Sequence, residues 1–297
     1  MNYDVIVVGG SYAGLSAALP LARARRRVLM IDAGVRRNRF AATSHGFLTQ
    51  DGSDPAAVAA QGRAQLMEYP SVDWLSGVAE QARPAEGGFV VSVQGGGSHF
   101  GRQLILAGGV RDHLPDLPGL AERWGRHVFH CPYCHGYELN QAPLGVLATS
   151  EVSLHQALML PDWGPTTFFL NDAFEPDAEQ RASLHARGVT VEPGRVDSLE
   201  GAGGVEVVMQ NGRRLALAGL FVAPRSSLSS PLASQLGCEL EDGPLGSFIK
   251  TDAIKATTVA GVFACGDAAR MAGSVSLAVG DGAIAGVAVH RALMGLA

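Results

Sequence analysis

The stretch DVIVVGGSYAGLSAA, from Asp4 to Ala18, limits what this chain can fold into more than any other segment. Val5 to Val8 is a continuous β-branched run, the pattern of a parallel strand covered on both faces. Glycines follow at once, then a helical stretch from about Ala13 to Arg25, and a second apolar run ends on Asp32 about twenty residues later. A strand, a glycine turn, a helix and an acid in that order form the dinucleotide fingerprint. Gly9 makes the tight turn, Gly14 lets helix and strand close up, and the helix N-terminus aims backbone amides at a pyrophosphate. Asp32 is placed to accept hydrogen bonds from an adenosine ribose. Ser11 stands at the middle glycine of the fingerprint, where its side chain can turn away or donate to a phosphate oxygen.

Two further segments extend the pattern. Ile105 to Gly109 reads ILAGG, with Gly108 in the turn, and a Pro-rich break, DHLPDLPG, follows from Asp112 to Gly119. Near the other end, GVFACGD delivers Gly266 and Asp267 at the carboxyl end of a buried run, where an acid can hold a ribityl hydroxyl of FAD. Ser274, Val275 and Ser276 then lie where Gly273 to Leu277 starts a helix, whose amides can face a flavin pyrimidine edge. Another helix is expected over roughly Ala283 to Leu293. A glycine fingerprint at one end and a GD turn at the other imply one FAD domain assembled from both parts of the chain, with the middle inserted. In that middle, GVLATS near Leu144 begins a second βα unit, with a helix around Leu154 to Leu160 and a strand at Thr167 to Leu170. The Ser-rich Pro224 to Pro231 segment breaks the chain again. The expected fold is α/β, with two Rossmann-like, three-layer ββα domains divided as 1–115, 116–240 and 241–297.

Four cysteines are present: Cys131, Cys134, Cys238 and Cys265. So low a count argues against a structural disulfide framework, and a close pair is then catalytic or metal-binding. At the start of a helix, the Cys131 and Cys134 sulfurs can close a small disulfide ring. His135 follows directly and can move a thiol proton. Three other readings compete with redox chemistry: haem attachment through Cys-x-x-Cys-His, a zinc site drawn from His127, His130, Cys131, Cys134 and His135, and a purely structural pair. Cys238, in an expected surface-edge segment, and Cys265, in a buried strand, read as inert small hydrophobes.

A formal net charge of −5 and a 17% charged fraction supply no basic field for nucleic acid. No apolar run reaches about 18 residues, and the first residues lack a signal-peptide pattern, so a cytoplasmic protein without a membrane partner is expected.

VVGGSYAGLSAA, VLMIDAG, CPYCHGYE and GVFACGDAA, in that order, resemble the low-molecular-weight thioredoxin reductase family, and more closely its flavin-dependent dithiol oxidase relatives of the gliotoxin and holomycin type. The resemblance covers essentially the whole chain. It implies FAD as cofactor, a homodimer, and an inserted nicotinamide-type domain carrying the cysteine pair. It also implies Cys134 as the sulfur next to the flavin and Cys131 as the sulfur that meets substrate. His135 stands where the reductases carry an acid/base aspartate. His45, Gln50 and Asp51 fall in a loop that borders the flavin in the family, while Arg36, Arg37 and Arg39 of that loop read as solvated.

One departure sets the expected direction of electron flow. Where the reductases have a second glycine fingerprint for NADPH, this chain reads Leu147-Ala148-Thr149-Ser150-Glu151-Val152-Ser153, without a glycine. Asn171-Asp172 follows the next strand, where basic residues would meet a 2′-phosphate. The expectation is a dithiol:disulfide oxidoreductase acting as an oxidase on a small-molecule or peptide dithiol, with oxygen as acceptor. The alternatives are an NAD(P)H-dependent disulfide reductase and an FAD-containing redox sensor without turnover.

Overall fold

The computed structural model describes residues 2–296. It resolves into two compact units: Met1–Arg39, Phe47–Arg111 and Ser226–Ala297 make the first, and Phe40–Gly46 with Asp112–Arg225 make the second.

The first unit is built on a seven-stranded sheet in the order Val72–Ser76, Val28–Asp32, Asn2–Val8, Gly97–Leu106, Gly88–Val93, Ala79–Ala85, with Val262–Ala264 added beside Gly97–Leu106. The ten-residue strand Gly97–Leu106 pairs with Asn2–Val8 along one edge and serves two partners along the other. Its first half pairs antiparallel with Gly88–Val93, and its last three residues pair parallel with Val262–Ala264. Apolar side chains leave the sheet on both faces. One set packs with the helices Tyr12–Arg23 and Val275–Leu293, through Val5, Val7, Leu21, Met30, Ile105 and Val289. The other packs with the antiparallel ribbon and the short helix Leu232–Leu236, through Ile6, Leu29, Val91 and Leu104. This is the three-layer ββα arrangement expected from the sequence.

Val275–Leu293 is one continuous 19-residue helix, so the two helical pieces expected at Gly273 to Leu277 and at Ala283 to Leu293 are a single element. Its glycines are what allow it. A Cβ on Gly282 or Gly286 would overlap the carbonyl oxygen of Ala13 or Ala17, so the two helices approach backbone to backbone there. Pro224 to Pro231 contains an extended strand, Arg225–Leu228, and is not simply a break. Cys238 is buried in the first unit's core, with Sγ 3.6 Å from Thr257 Oγ1, and does not lie at a surface edge.

The second unit repeats the plan. A five-stranded parallel sheet runs Thr190–Glu192, Thr166–Phe169, Leu144–Leu147, Gly219–Val222, Val128–Phe129. Leu144–Leu147 and Gly219–Val222 are buried at every position, as strands covered on both faces must be. The antiparallel meander Val196–Glu200, Val205–Met209, Arg214–Leu217 covers one face, and the helices Ser153–Met159 and Ala178–Ala186 cover the other. An Asp177–Gln180 capping box starts the second of these helices. Among the described residues, no helix is long and apolar enough to cross a membrane.

Candidate functional site

In the first unit, the parallel strands finish in register: Val8 pairs with Ile31 and with Leu106, and Leu106 pairs with Ala264. The segments that follow them, carrying Gly9 to Gly14, Asp32, Gly108 and Gly266-Asp267, therefore leave one sheet edge, where open α/β sheets bind ligands. Gly9 has φ +108°, and a side chain on Gly14 would overlap the Gly9 carbonyl. The Gly10 amide donates to Asp32 Oδ1 at 3.1 Å. Ser11 is the helix N-cap in extended conformation and makes no side-chain cap, so the first-turn amides stay open to an anion. Ser274 to Ser276 join this edge through Gly273, whose Cβ would overlap the Asp267 carboxylate. Ser274 Oγ accepts from the Leu277 amide at 3.2 Å.

Sequence reasoning missed two residues here. Arg37, expected to be solvated, places Nη1 2.8 Å from Asp267 Oδ2 with both side chains partly buried. Asn38 donates to the Tyr12 hydroxyl at 3.1 Å, while its buried Oδ1 has no hydrogen-bond partner. Neither contact has a local sequence signal, because the partners lie far along the chain. A glycine cradle that tolerates no Cβ, an open helix start and an orphaned buried acceptor beside them fit a dinucleotide such as FAD. Gln50 and Asp51 lie in the loop that follows Phe47, where Gln50 Oε1 accepts from Ser53 Oγ at 3.2 Å. His45 lies in the Phe40–Gly46 segment, which belongs to the second unit.

In that unit, Val128–Phe129 leads into Cys131, the extended N-cap of a single helical turn, Pro132–His135. Pro132 at the first helical position presets the turn. The Cys134 amide donates to the Cys131 carbonyl at 3.2 Å, and the two Sγ atoms lie 2.8 Å apart. The His135 ring stacks on Phe129, with centroids 4.5 Å apart and planes at 28°. Burial pulls the His135 pKa below its ordinary value; the Glu138 carboxylate opposes that shift and His45 adds to it. Tyr133, 72% exposed, meets the Trp163 ring edge-on at 5.2 Å. His130 belongs to the framework: its carbonyl accepts from Gln156 Nε2 at 2.6 Å. Among the described residues, no group of three or more His, Cys, Asp or Glu is arranged to hold a metal ion.

The glycine-free loop of this unit is closed by its own side chains. The Thr149 amide donates to Ser153 Oγ at 3.0 Å, and Thr149 Oγ1 donates to the Ala223 carbonyl at 3.1 Å. Ser153 is fully buried, and Glu151 Oε1 accepts from Gln180 Nε2 at 2.8 Å. Beyond the next strand, Asn171 Oδ1 accepts from the Val196 amide at 3.0 Å, while Arg181 is paired with Glu175. The Thr149 amide and the one arginine near the start of the following helix are thus already committed.

The sequence profile of a family described as "Pyridine nucleotide-disulphide oxidoreductase" matches residues 3–282. A protein of Leptosphaeria maculans named "Thioredoxin reductase sirT" is 33% identical over 99% of this chain and 95% of its own length. Among solved structures, an oxidoreductase from Agrobacterium tumefaciens is 55% identical, with TM-score 0.96 and 99% of each chain covered. The structure of HlmI is 37% identical, with TM-score 0.93 over 99% of this chain and 93% of that one.

Proposed function

Since this chain belongs to the pyridine nucleotide-disulphide oxidoreductase family and is a disulfide oxidoreductase of thioredoxin reductase-like type, we propose that it works as an FAD-dependent dithiol oxidase. The observation that carries this reading is the internal closure of the loop at Ala148 to Ser153. A pyrophosphate needs bare backbone amides at a strand-to-helix turn, and here the Thr149 amide is held by the Ser153 hydroxyl while Glu151 adds like charge. Electrons then enter from a dithiol instead of from NADPH.

In this reading, a substrate thiolate attacks Cys131 Sγ of the oxidised pair and releases Cys134 as a thiolate. The second substrate thiol attacks the mixed disulfide, releasing the substrate as a disulfide and leaving the pair reduced. His135 takes up thiol protons as the two attacks proceed. Gly9 to Gly14, Asp32, Asp267 and the helix start at Ser274 to Ser276 would hold FAD, which would supply two-electron exchange between the reduced pair and oxygen. The balance is one dithiol and one dioxygen giving one disulfide and one hydrogen peroxide. A homodimer and a cytoplasmic setting complete the proposal.

Anaerobic titration of the yellow protein tests it. Reduced dithiothreitol is expected to bleach the flavin, NADPH and NADH to leave it oxidised, and admission of air to give catalytic peroxide. Rapid bleaching by NADPH would establish the reductase reading, which the printed name of the Leptosphaeria relative favours. Bleaching by dithiol without turnover in air would establish a sensor.

A further inference from the structure

Each turnover removes two protons from the substrate dithiol. The released Cys131 sulfur can take one back, and the other is taken up by a base and exchanged with solvent until peroxide formation consumes both. His135 is poorly placed to do so alone. Its ring lies flat on Phe129, which in turn meets Phe221 at 5.7 Å, so an apolar wall closes that side. The polar side has an unexpected occupant. Residues Phe40–Gly46 leave the first unit and pack within the second. They are seated at two points: a Cβ on Gly125, which has φ +75°, would lie 2.6 Å from Phe40 Cβ, and His45 Nε2 lies 3.4 Å from Glu138 Oε1. Glu138 sits three residues after His135, in the short 3-10 turn Tyr137–Leu139 that continues the cysteine helix. Side chains three apart along a helix share a face. Glu138 is 43% exposed and His45 17%, so the pair runs from half-buried ring to water. Thr43 Oγ1 lies 3.2 Å from the same His45 nitrogen.

We propose that the His45–Glu138 pair is a positioning and relay pair for His135, through which the thiol proton passes from the redox centre to solvent. The charged or titratable groups that act on His135 are Glu138 and His45; Phe129 and Phe221 contribute no charge. The pair also connects events along the chain. The Phe40–Gly46 segment, which sequence reasoning associates with the flavin, carries the residue that serves the sulfur chemistry. This inference rests on the dithiol oxidase reading for the origin of the proton, but not for its geometry.

The test uses the full-length flavoprotein and three variants, Glu138→Gln, Glu138→Asp and His45→Asn. Two quantities are measured across pH: the rate of anaerobic flavin bleaching by reduced dithiothreitol, and the titration of His135 followed by imidazole nitrogen NMR. Glu138→Gln is expected to slow bleaching at pH 7 by roughly 3- to 10-fold and to move both the acidic limb of the rate profile and the His135 titration to lower pH. Glu138→Asp should restore much of the rate. His45→Asn should move the His135 titration the opposite way, because a neighbour that lowers it is removed, while still slowing proton exit. A purely structural role would lower stability and leave the two titrations in place. Unshifted titrations in variants that retain flavin overturn the relay. Failure of dithiothreitol to bleach the unaltered protein overturns the oxidase reading instead, and the NMR titrations then judge the pair on their own.

Discussion

His135 is a residue whose proton affinity is changed by folding. Burial holds its pKa below the ordinary 6.5, so the unfolded chain binds this proton at higher pH than the native protein does. Its contribution to stability is therefore complete above about 6.5 and is lost as pH falls through the native value. Urea denaturation between about pH 7 and pH 5 is expected to show decreasing stability, with a shallower decline in His135→Phe. The same substitution, or His135→Asn, should lower dithiol turnover by roughly 10²–10³-fold. Thiol reactivity divides along similar lines. Burial pushes the Cys265 thiol up to about 12, and desolvation raises that of Cys238. Alkylation of the reduced native protein at about pH 8 is expected to label the Cys131/Cys134 pair and to spare the other two, as peptide mass mapping would show. The pair was legible because its spacing is local, and so was His135 beside it. Arg37 against Asp267 and Cys238 against Thr257 were not, since each contact is made by residues that only the folded sheet brings together.

Among the elements, the helix Val275–Leu293 departs most from what local preference suggests. Gly280, Gly282 and Gly286 interrupt its pattern, and each glycine in a helix interior is unfavourable by about 1 kcal/mol relative to Ala. On propensity alone, Gly282→Ala and Gly286→Ala would stabilise the protein by that amount. The packing predicts the reverse sign. The added methyl overlaps a carbonyl of the helix Tyr12–Arg23, and overpacking of this kind costs about 1–3 kcal/mol. Equilibrium urea denaturation of both variants checks the sign, and Ser274→Ala, which removes the cap on Leu277, should lose about 1 kcal/mol. This is also why the element was only partly legible: a glycine that breaks a helix in isolation and a glycine that lets two helices touch look the same in sequence. The first strand and its glycine turn were legible because their pattern is carried by neighbours.

At the scale of the whole chain, each unit is a ββα stack, and among the described residues the glycine cradle lies in the first. A ligand bound there stabilises the native state by mass action. Free FAD at about 100 times its dissociation constant is expected to add about 2.7 kcal/mol to the unit that contains Gly9 and Asp267, visible as a rise in the first thermal transition of flavin-stripped protein. The paired fingerprints made the two-ended organisation legible. The sharing of Gly97–Leu106 between a hairpin and Val262–Ala264 was not, because a single strand with two kinds of neighbour has no distinct pattern of its own. That shared strand has a consequence for biosynthesis. When Gly97–Leu106 leaves the ribosome, Val262–Ala264 and the helix that packs on Tyr12–Arg23 are still to be translated, whereas Asp112–Arg225 emerges as one uninterrupted piece. The middle of the polypeptide can reach its final form during elongation, whereas the unit that contains Gly9 and Asp267 is completed only once Val262–Ala264 and Val275–Leu293 have followed it, so a ligand of that unit has to wait for them.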